Sequence, residues 1–310
     1  MKPVITPAFL QEGDTIGIIA PARFALKEDL LGVVEILNSL SFSVKFANNI
    51  GVKQGQFAGS DQARTEGIHQ MMIDPDVKAL LCARGGYGSA RLFSSLSKNV
   101  FLNNPKWLCG FSDVTALHLL SRYFGISSMH TPVATTLAAA PKEIKDHFKL
   151  MLLGNKTWSF QAEIHGDQNW QFDDVELIGG NLSLLYSLKG SHVYPISTPH
   201  VLMMEDLDEM LYHLDRMLMG LELAHAFGHT KAIFIGHFSD FKDNTEAYGF
   251  SSNNPYGQCT KSILIERLQS FGIPLVFNCP FGHEHLNQSW LHGHPCSVQC
   301  INGLVQVNYL

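Results

Sequence analysis

Charge is scarce in this 310-residue chain: Asp, Glu, Lys and Arg together make up 16%. No run of Lys or Arg exceeds two residues, and the formal net charge is −6 with His neutral. A nucleic-acid binder needs a basic face, so that class of partner is disfavoured. Cysteine is sparse too. Six residues without a C-x-x-C pair are too few for a disulfide scaffold, and Cys82, Cys109 and Cys279 sit in apolar runs that read as buried thiols. No stretch approaches about 18 consecutive apolar residues, so no membrane span is expected. The start, Met1-Lys2-Pro3-Val4-Ile5-Thr6-Pro7, has no long apolar core followed by a small-residue cleavage site. It does not read as a secretory signal, and a cytoplasmic protein is expected. Repeats and low-complexity stretches are missing. Hydrophobic residues make up 45% of the chain, ample for a core and too many for whole-chain disorder. At about 150 residues per domain the length suggests two domains.

The first half alternates strand and helix patterns. Thr15–Ala20 is a β-branched apolar run that Pro21 ends, and Phe42–Phe46 alternates as a strand does. Lys27–Leu40 has helical spacing. Ser60-Asp61 can cap a helix running to Ile73, which Asp74-Pro75 stops. Val77–Cys82 and Trp107–Phe111 read as strands; a helix to Leu96 and a helix over Asp113–Phe124 follow them. This βαβα rhythm argues for an α/β fold with a parallel sheet covered by helices on both faces. Positions 138–175 show no strand rhythm beyond one short helix, Lys142–Leu153, and read as the connection between domain 1–137 and domain 176–310. In the second domain Val201–Met204 reads as a strand, Glu205–Phe227 as a long amphipathic helix, and Ala232–His237 and Pro274–Cys279 as strands. The tail Cys296–Val307 reads as a hairpin around Asn302-Gly303.

Four segments carry chemistry. In Trp107-Leu108-Cys109-Gly110-Phe111-Ser112-Asp113-Val114 an apolar strand ends in Gly-x-Ser and turns directly into a helix. That is the context of an exposed nucleophilic serine beside free helix N–H groups, although the usual second glycine is Val114. The plainer reading is a helix cap. Arg84-Gly85-Gly86-Tyr87-Gly88, between a strand and a helix, matches neither G-x-G-x-x-G nor a P-loop. It reads either as a donor loop beside a nucleophile or as a tight turn. Glu205-Asp206 closes an apolar strand, where a carboxylate can orient a histidine; equally, Asp206, Asp208 and Glu209 suit a helix start. Pro280-Phe281-Gly282-His283-Glu284-His285 puts His283 on a loop at a sheet edge. His283, His285, His292, His294 and Cys296 cluster in the tail but match no zinc spacing, so no metal is assigned.

Together these segments resemble the murein LD-carboxypeptidases and the related microcin-C-resistance serine peptidases. The resemblance rests on Gly13-Asp14-Thr15-Ile16-Gly17-Ile18-Ile19-Ala20-Pro21-Ala22, Phe57-Ala58-Gly59-Ser60-Asp61 and Asp76-Val77-Lys78-Ala79-Leu80. It continues through the Arg84–Gly88 and Gly110–Leu117 segments, Gly179-Gly180-Asn181-Leu182, Glu205-Asp206, Tyr212 with Asp215-Arg216, and Phe281-Gly282-His283. The markers keep family order from residue 13 to residue 283.

The resemblance implies a flavodoxin-like N-terminal domain carrying the nucleophile, Ser112, and a smaller α/β C-terminal domain carrying the triad acid, Glu205, and the base, His283. It implies oxyanion donors at the backbone N–H of Asp113 and of Gly86, with Gly85 the next choice. The implied reaction needs no cofactor. It removes the terminal D-Ala from a murein tetrapeptide during cytoplasmic recycling, in a homodimer. A carboxypeptidase needs a cation for the substrate's free carboxylate, and Arg84 beside the donor loop is the candidate. Two stretches depart from the family pattern. His130-Thr131-Pro132 replaces the common His-Gly-Pro, and Glu284-His285 follows the base, where a carboxylate would raise its pKa. The alternatives are a peptidase acting on a peptide–nucleotide, with Trp158 or Trp170 stacking on the base, a metal-dependent hydrolase using the His-rich tail, and a non-catalytic binding protein.

Overall fold

The computed structural model describes residues 4–194 and 197–310; residues 1–3, the start of the segment read for a leader, and residues 195–196 lie outside this set. The chain divides into two compact units. The first holds Met1–Lys156, His285–His294 and Tyr309; the second holds Thr157–Glu284, Pro295–Asn308 and Leu310.

In the first unit five parallel strands, β1 (Thr15–Ile19), β2 (Ser43–Phe46), β3 (Val77–Cys82), β4 (Trp107–Gly110) and β5 (Ser128–His130), lie in the order 2-1-3-4-5. This is the flavodoxin-like doubly wound order. β1, β3 and β4 are buried almost throughout, as strands covered on both faces must be. The helix Asp61–Ile73 begins where the Ser60 hydroxyl accepts the Ala63 N–H at 3.1 Å, and it ends at Asp74, extended before Pro75. The expected helix to Leu96 is instead a 3-10 turn, Ser89–Leu92, followed by a separate helix, Lys98–Asn103. Serines cause the break. The Ser95 hydroxyl donates to the Leu92 carbonyl at 3.0 Å, and Ser97 caps the second helix. The chain later returns to this unit, where Trp290–His292 pairs antiparallel with β5.

The second unit begins inside the stretch read as a connection. The 138–175 stretch holds the helix Lys142–Leu152, which belongs to the first unit, and strands β6 (Thr157–Gln161) and β7 (Glu163–His165) of the second. Trp158 and Phe160 point inward from β6 while their neighbours are exposed, an alternation the aromatic residues obscured. With β8 (Trp170–Asn181), β9 (His200–Leu207), β10 (Thr230–Ser239), β11 (Leu275–Phe277), the first unit's Trp290–His292 strand as β12, β13 (Pro295–Ile301) and β14 (Leu304–Tyr309), the strands complete. The second unit's sheet has the order β6-β14-β13-β8-β9-β10-β11-β7. Strands β8 to β11 run parallel and the flanking strands antiparallel. The hairpin turn has φ of +50° at Asn302 and +80° at Gly303, the backbone that Asn-Gly favours. Strand β9 runs three residues past the expected strand end at Met204. Asp206 and Leu207 pair with Phe238 and Ser239 of β10, and the helix starts only at Leu211. Glu205 and Asp206 are therefore strand residues, not helix-start acids.

Candidate active site

In the first unit β4 ends at Gly110, and Ser112–Val114 forms a 3-10 turn that runs into the helix Thr115–Phe124. Ser112 has φ +64°, a conformation that costs a side-chain-bearing residue roughly 1–2 kcal/mol. The cap position of that helix is Val114, which makes no side-chain capping bond, and Ser112 stands two residues before it at the start of the 3-10 turn. A Cβ on Gly110 would lie 2.9 Å from the Val114 side chain. Glycine at position 110 makes room in the turn, so the absent second glycine can be valine.

The glycine-rich loop lies against this turn. A Cβ on Gly85 would come within 2.9 Å of Ser112 Cβ and 3.1 Å of its Oγ. Two buried charged side chains hold the loop. The Asp113 carboxylate, 1% exposed, accepts the N–H of Gly88 at 3.3 Å and of Ser89 at 2.8 Å. Burial raises its pKa above the ordinary carboxylate value despite these bonds. From the other side the wholly buried Arg64 donates to the Gly88 carbonyl at 2.9 Å and to the Pro21 carbonyl, and it pairs with Asp61. Beneath the turn, His118 Nε2–H donates to the Gly110 carbonyl at 2.9 Å, and Nδ1 accepts from the Ser128 hydroxyl at 2.8 Å. Its burial lowers its pKa to about 4, so this ring is neutral near pH 7.

In the second unit Glu205 is fully buried in β9. His283 stands on the loop after β11, and its Nδ1–H donates to Glu205 Oε2 at 2.6 Å. The carboxylate only accepts, so the bond puts the ring proton on Nδ1. Gly282, at φ +123°, permits the approach: a Cβ there would lie 3.2 Å from both Glu205 Cβ and His237 Cβ. The neighbouring acid, Asp206, is turned to other partners. It accepts from Asn181 Nδ2 at 2.7 Å and from the Ser183 N–H at 2.9 Å, while Asn181 caps the helix Leu182–Leu188. Burial, and then the adjacent Glu205, push Asp206 up to about 7. At His283 burial is the largest influence and works downward. The charge and hydrogen bond of Glu205, with the charge of Asp206, outweigh it and raise the imidazole pKa above its ordinary value. Glu284 is not among these groups. Its carboxylate accepts from the Ser239 hydroxyl at 3.0 Å, so the expectation that it raises the pKa of His283 is replaced by Glu205 and Asp206.

The N-terminal domain of the LD-carboxypeptidase family matches residues 16–131, and the family's C-terminal domain matches residues 175–298. A Synechocystis protein that carries a carboxypeptidase name is 32% identical over 92% of this chain and 91% of its own length. The chain belongs to the LD-carboxypeptidase family. The murein tetrapeptide carboxypeptidase of Pseudomonas aeruginosa is 26% identical over 90% of this chain and 91% of its own. The crystal structure of muramoyltetrapeptide carboxypeptidase from Oxalobacter formigenes superposes with a TM-score of 0.81, covering 95% of this chain and 98% of that one at 27% identity. The microcin C7 self-immunity protein MccF has the same fold, with a TM-score of 0.83 over 99% of both chains at 20% identity. Family and relatives agree on a carboxypeptidase.

Within the LD-carboxypeptidase frame, Ser112 and the glycine loop lie in the N-terminal match, and Glu205 and His283 in the C-terminal one. Sequence reading missed the side-chain roles of Asp113, Arg64, His118 and Asn181. Arg64 had a signal: it shares a helix face with Ile68, Met71 and Met72, where a charge needs a buried partner. Two histidines of the His-rich tail are buried in packing, while His285 is exposed. His292 stacks on His118 at 5.3 Å, and His294 lies 3.2 Å from Thr6 Oγ1 and from Ser127 Oγ. Among the described residues, no three His, Cys, Asp or Glu side chains form a group that could hold a metal ion. Trp158, 1% exposed, packs on Phe160 in the core, which takes it out of base stacking; Trp170 is half-buried and packs on Phe172 and Phe234. Arg84 is half-buried.

Proposed function

We propose that this LD-carboxypeptidase family member is a serine peptidase that hydrolyses the L,D-amide bond before a C-terminal D-Ala of a murein tetrapeptide. The observation that carries the reading is Ser112 held at φ +64° on the turn between a parallel strand and a helix, the strained backbone on which a nucleophilic serine is presented at a sheet edge. In this reading His283 Nε2 takes the Ser112 proton as Oγ attacks the scissile carbonyl, and Glu205 holds Nδ1–H and stabilises the imidazolium. The backbone N–H groups of Asp113 and Gly86 receive the oxyanion, with Gly85 the next choice, each donor contributing about 3–4 kcal/mol. The imidazolium then protonates the leaving amine of D-Ala. Water, deprotonated by the same ring, releases the shortened peptide from Ser112. No cofactor enters these steps. The resemblance carries a cytoplasmic setting and a homodimer with it. Among the described residues, no helix is long and apolar enough to cross a membrane.

The test is mass spectrometry of the protein incubated with L-Ala–γ-D-Glu–L-Lys–D-Ala and with its diaminopimelate counterpart. Loss of one alanine, absent in Ser112→Ala, together with fluorophosphonate labelling at Ser112, supports the reading. Full turnover by Ser112→Ala overturns the serine mechanism. Faster cleavage of an aminoacyl sulfamoyl adenosine than of either tetrapeptide would replace the murein substrate by a peptide–nucleotide.

A further inference from the structure

We propose that Arg23, rather than Arg84, receives the free C-terminal carboxylate of the substrate. The inference rests on the carboxypeptidase reading and adds the residue that makes the enzyme require a chain end.

Arg23 follows β1, one of the parallel strands, so it emerges at the same carboxyl edge of the sheet as the Ser112 turn after β4. Ligands of doubly wound sheets bind at that edge. The backbone of Arg23 is fixed by an antiparallel bridge to Phe57. Its side-chain stem lies flat on the glycine loop. A Cβ on Gly86 would come within 2.1 Å of Arg23 Cδ and 2.4 Å of its Cγ, so Gly86 stays bare to admit the stem. Adjacent residues of one dipeptide therefore touch the two groups a carboxypeptidase needs: Gly85 the nucleophile and Gly86 the arginine.

The charge of Arg23 is uncommitted. The side chain is exposed and makes no hydrogen bond or ion pair among the described residues. Its neighbours around the loop are engaged: Arg64 and Arg91 both bind the Asp61 carboxylate, Arg91 through two nitrogens. With the oxyanion on Gly86 N–H, the leaving residue's carboxylate lies one residue beyond the scissile carbonyl, a span of at most about 3.6 Å of chain. A guanidinium fork carried on a stem that rests on Gly86 is in reach of that distance, and its planar donors match a carboxylate in two bonds. Arg84 precedes Gly85 in the chain but is half-buried, whereas Arg23 offers an exposed fork.

The test compares Arg23→Gln, Arg23→Lys and Arg84→Gln on L-Ala–γ-D-Glu–L-Lys–D-Ala and on the same peptide ending in a carboxamide. Fluorophosphonate labelling of Ser112 serves as the control for folding and for the nucleophile. Arg23→Gln should lower kcat/KM on the acid by about 10- to 100-fold, mostly through KM, as expected for a charge-assisted pair. It should lower kcat/KM on the carboxamide by less than threefold, leave labelling unchanged, and be partly rescued by Arg23→Lys. An unchanged preference for acid over carboxamide in Arg23→Gln overturns the proposal, as does a larger loss of that preference in Arg84→Gln. The ratio of acid to carboxamide is read whatever the nucleophile proves to be, so failure of the serine mechanism would show separately, in Ser112→Ala.

Discussion

His283 Nδ1 lies 2.6 Å from Glu205 Oε2, with the histidine side chain 13% exposed and the carboxylate wholly buried. The bond places one ring proton and leaves Nε2 as the position that can exchange another. It also couples the basicity of the ring to a carboxylate shielded from water, where charge–charge interaction is strong.

The first consequence is a pH profile. The proposed base must be neutral to act, and its pKa is raised, so the acidic limb of kcat/KM should lie above the ordinary histidine value of about 6.5. Glu205→Gln removes the main group that raises it and leaves burial, which lowers it. The limb should move to lower pH while the rate falls by roughly 100-fold or more. Asp206→Asn should shift the limb the same way by less and cost less rate. A greater rate loss in Asp206→Asn would show that the wrong carboxylate has been assigned.

Glu284 gives the contrasting expectation. Its carboxylate is held by the Ser239 hydroxyl, so Glu284→Gln should leave the acidic limb in place. Profiles recorded at low salt, where exposed charges act furthest, decide it. A limb displaced to lower pH would mean that Glu284 acts on His283 in solution.

Backbone strain at Ser112 predicts a stability difference between two inactive variants. Ser112→Ala retains the cost of φ +64°, whereas Ser112→Gly removes it. After allowing for the greater entropy of glycine in the unfolded chain, the glycine variant should equal or exceed the alanine variant, by up to about 1 kcal/mol. Urea unfolding measures both. An alanine variant more stable by that amount would place the strain elsewhere.

Asp113 is expected to act on turnover through the loop it holds. Asp113→Asn turns an amide N–H₂ or a single oxygen toward two N–H donors that now share a carboxylate, loosening the segment that carries Gly86. We expect kcat to fall about 10- to 100-fold with KM within about twofold, since the oxyanion forms only in the transition state. Equal kcat in the variant would separate the loop from the chemistry.

His118 sets a limit in acid. Its pKa is about 4 in the folded chain and about 6.5 when unfolded, so folding favours the neutral ring. Its contribution is complete above pH 6.5 and is lost as pH falls toward 4, up to about 3 kcal/mol in total. Burial lowers the pKa of the stacked His292 as well, adding loss of the same sign. Unfolding free energies at pH 7, 5.5 and 4.5 should fall in the wild type and fall less steeply in His118→Gln. Parallel slopes would exclude His118 as a source.

What the sequence determined by itself was local or periodic. The cap at Ser60, the stop at Asp74-Pro75, strand Val77–Cys82 and the Asn302-Gly303 turn were all legible, because a few adjacent residues decide each of them. The Gly-x-Ser turn was legible for the same reason. Tertiary structure decided what depends on distant partners. Strand β9 continues past Met204 because β8 pairs with it at Glu205 and β10 at Asp206 and Leu207, so two acids that suited a strand end or a helix start equally became strand residues with separate partners. Asp113 and Arg64 meet at Gly88 across 25 and 24 residues of chain, and Arg23 meets Gly86 only when β1 and β3 lie side by side. Periodicity reports which face of an element is buried. It carries no record of which side chain from another element fills the space beside it, and that is settled only when the sheets assemble.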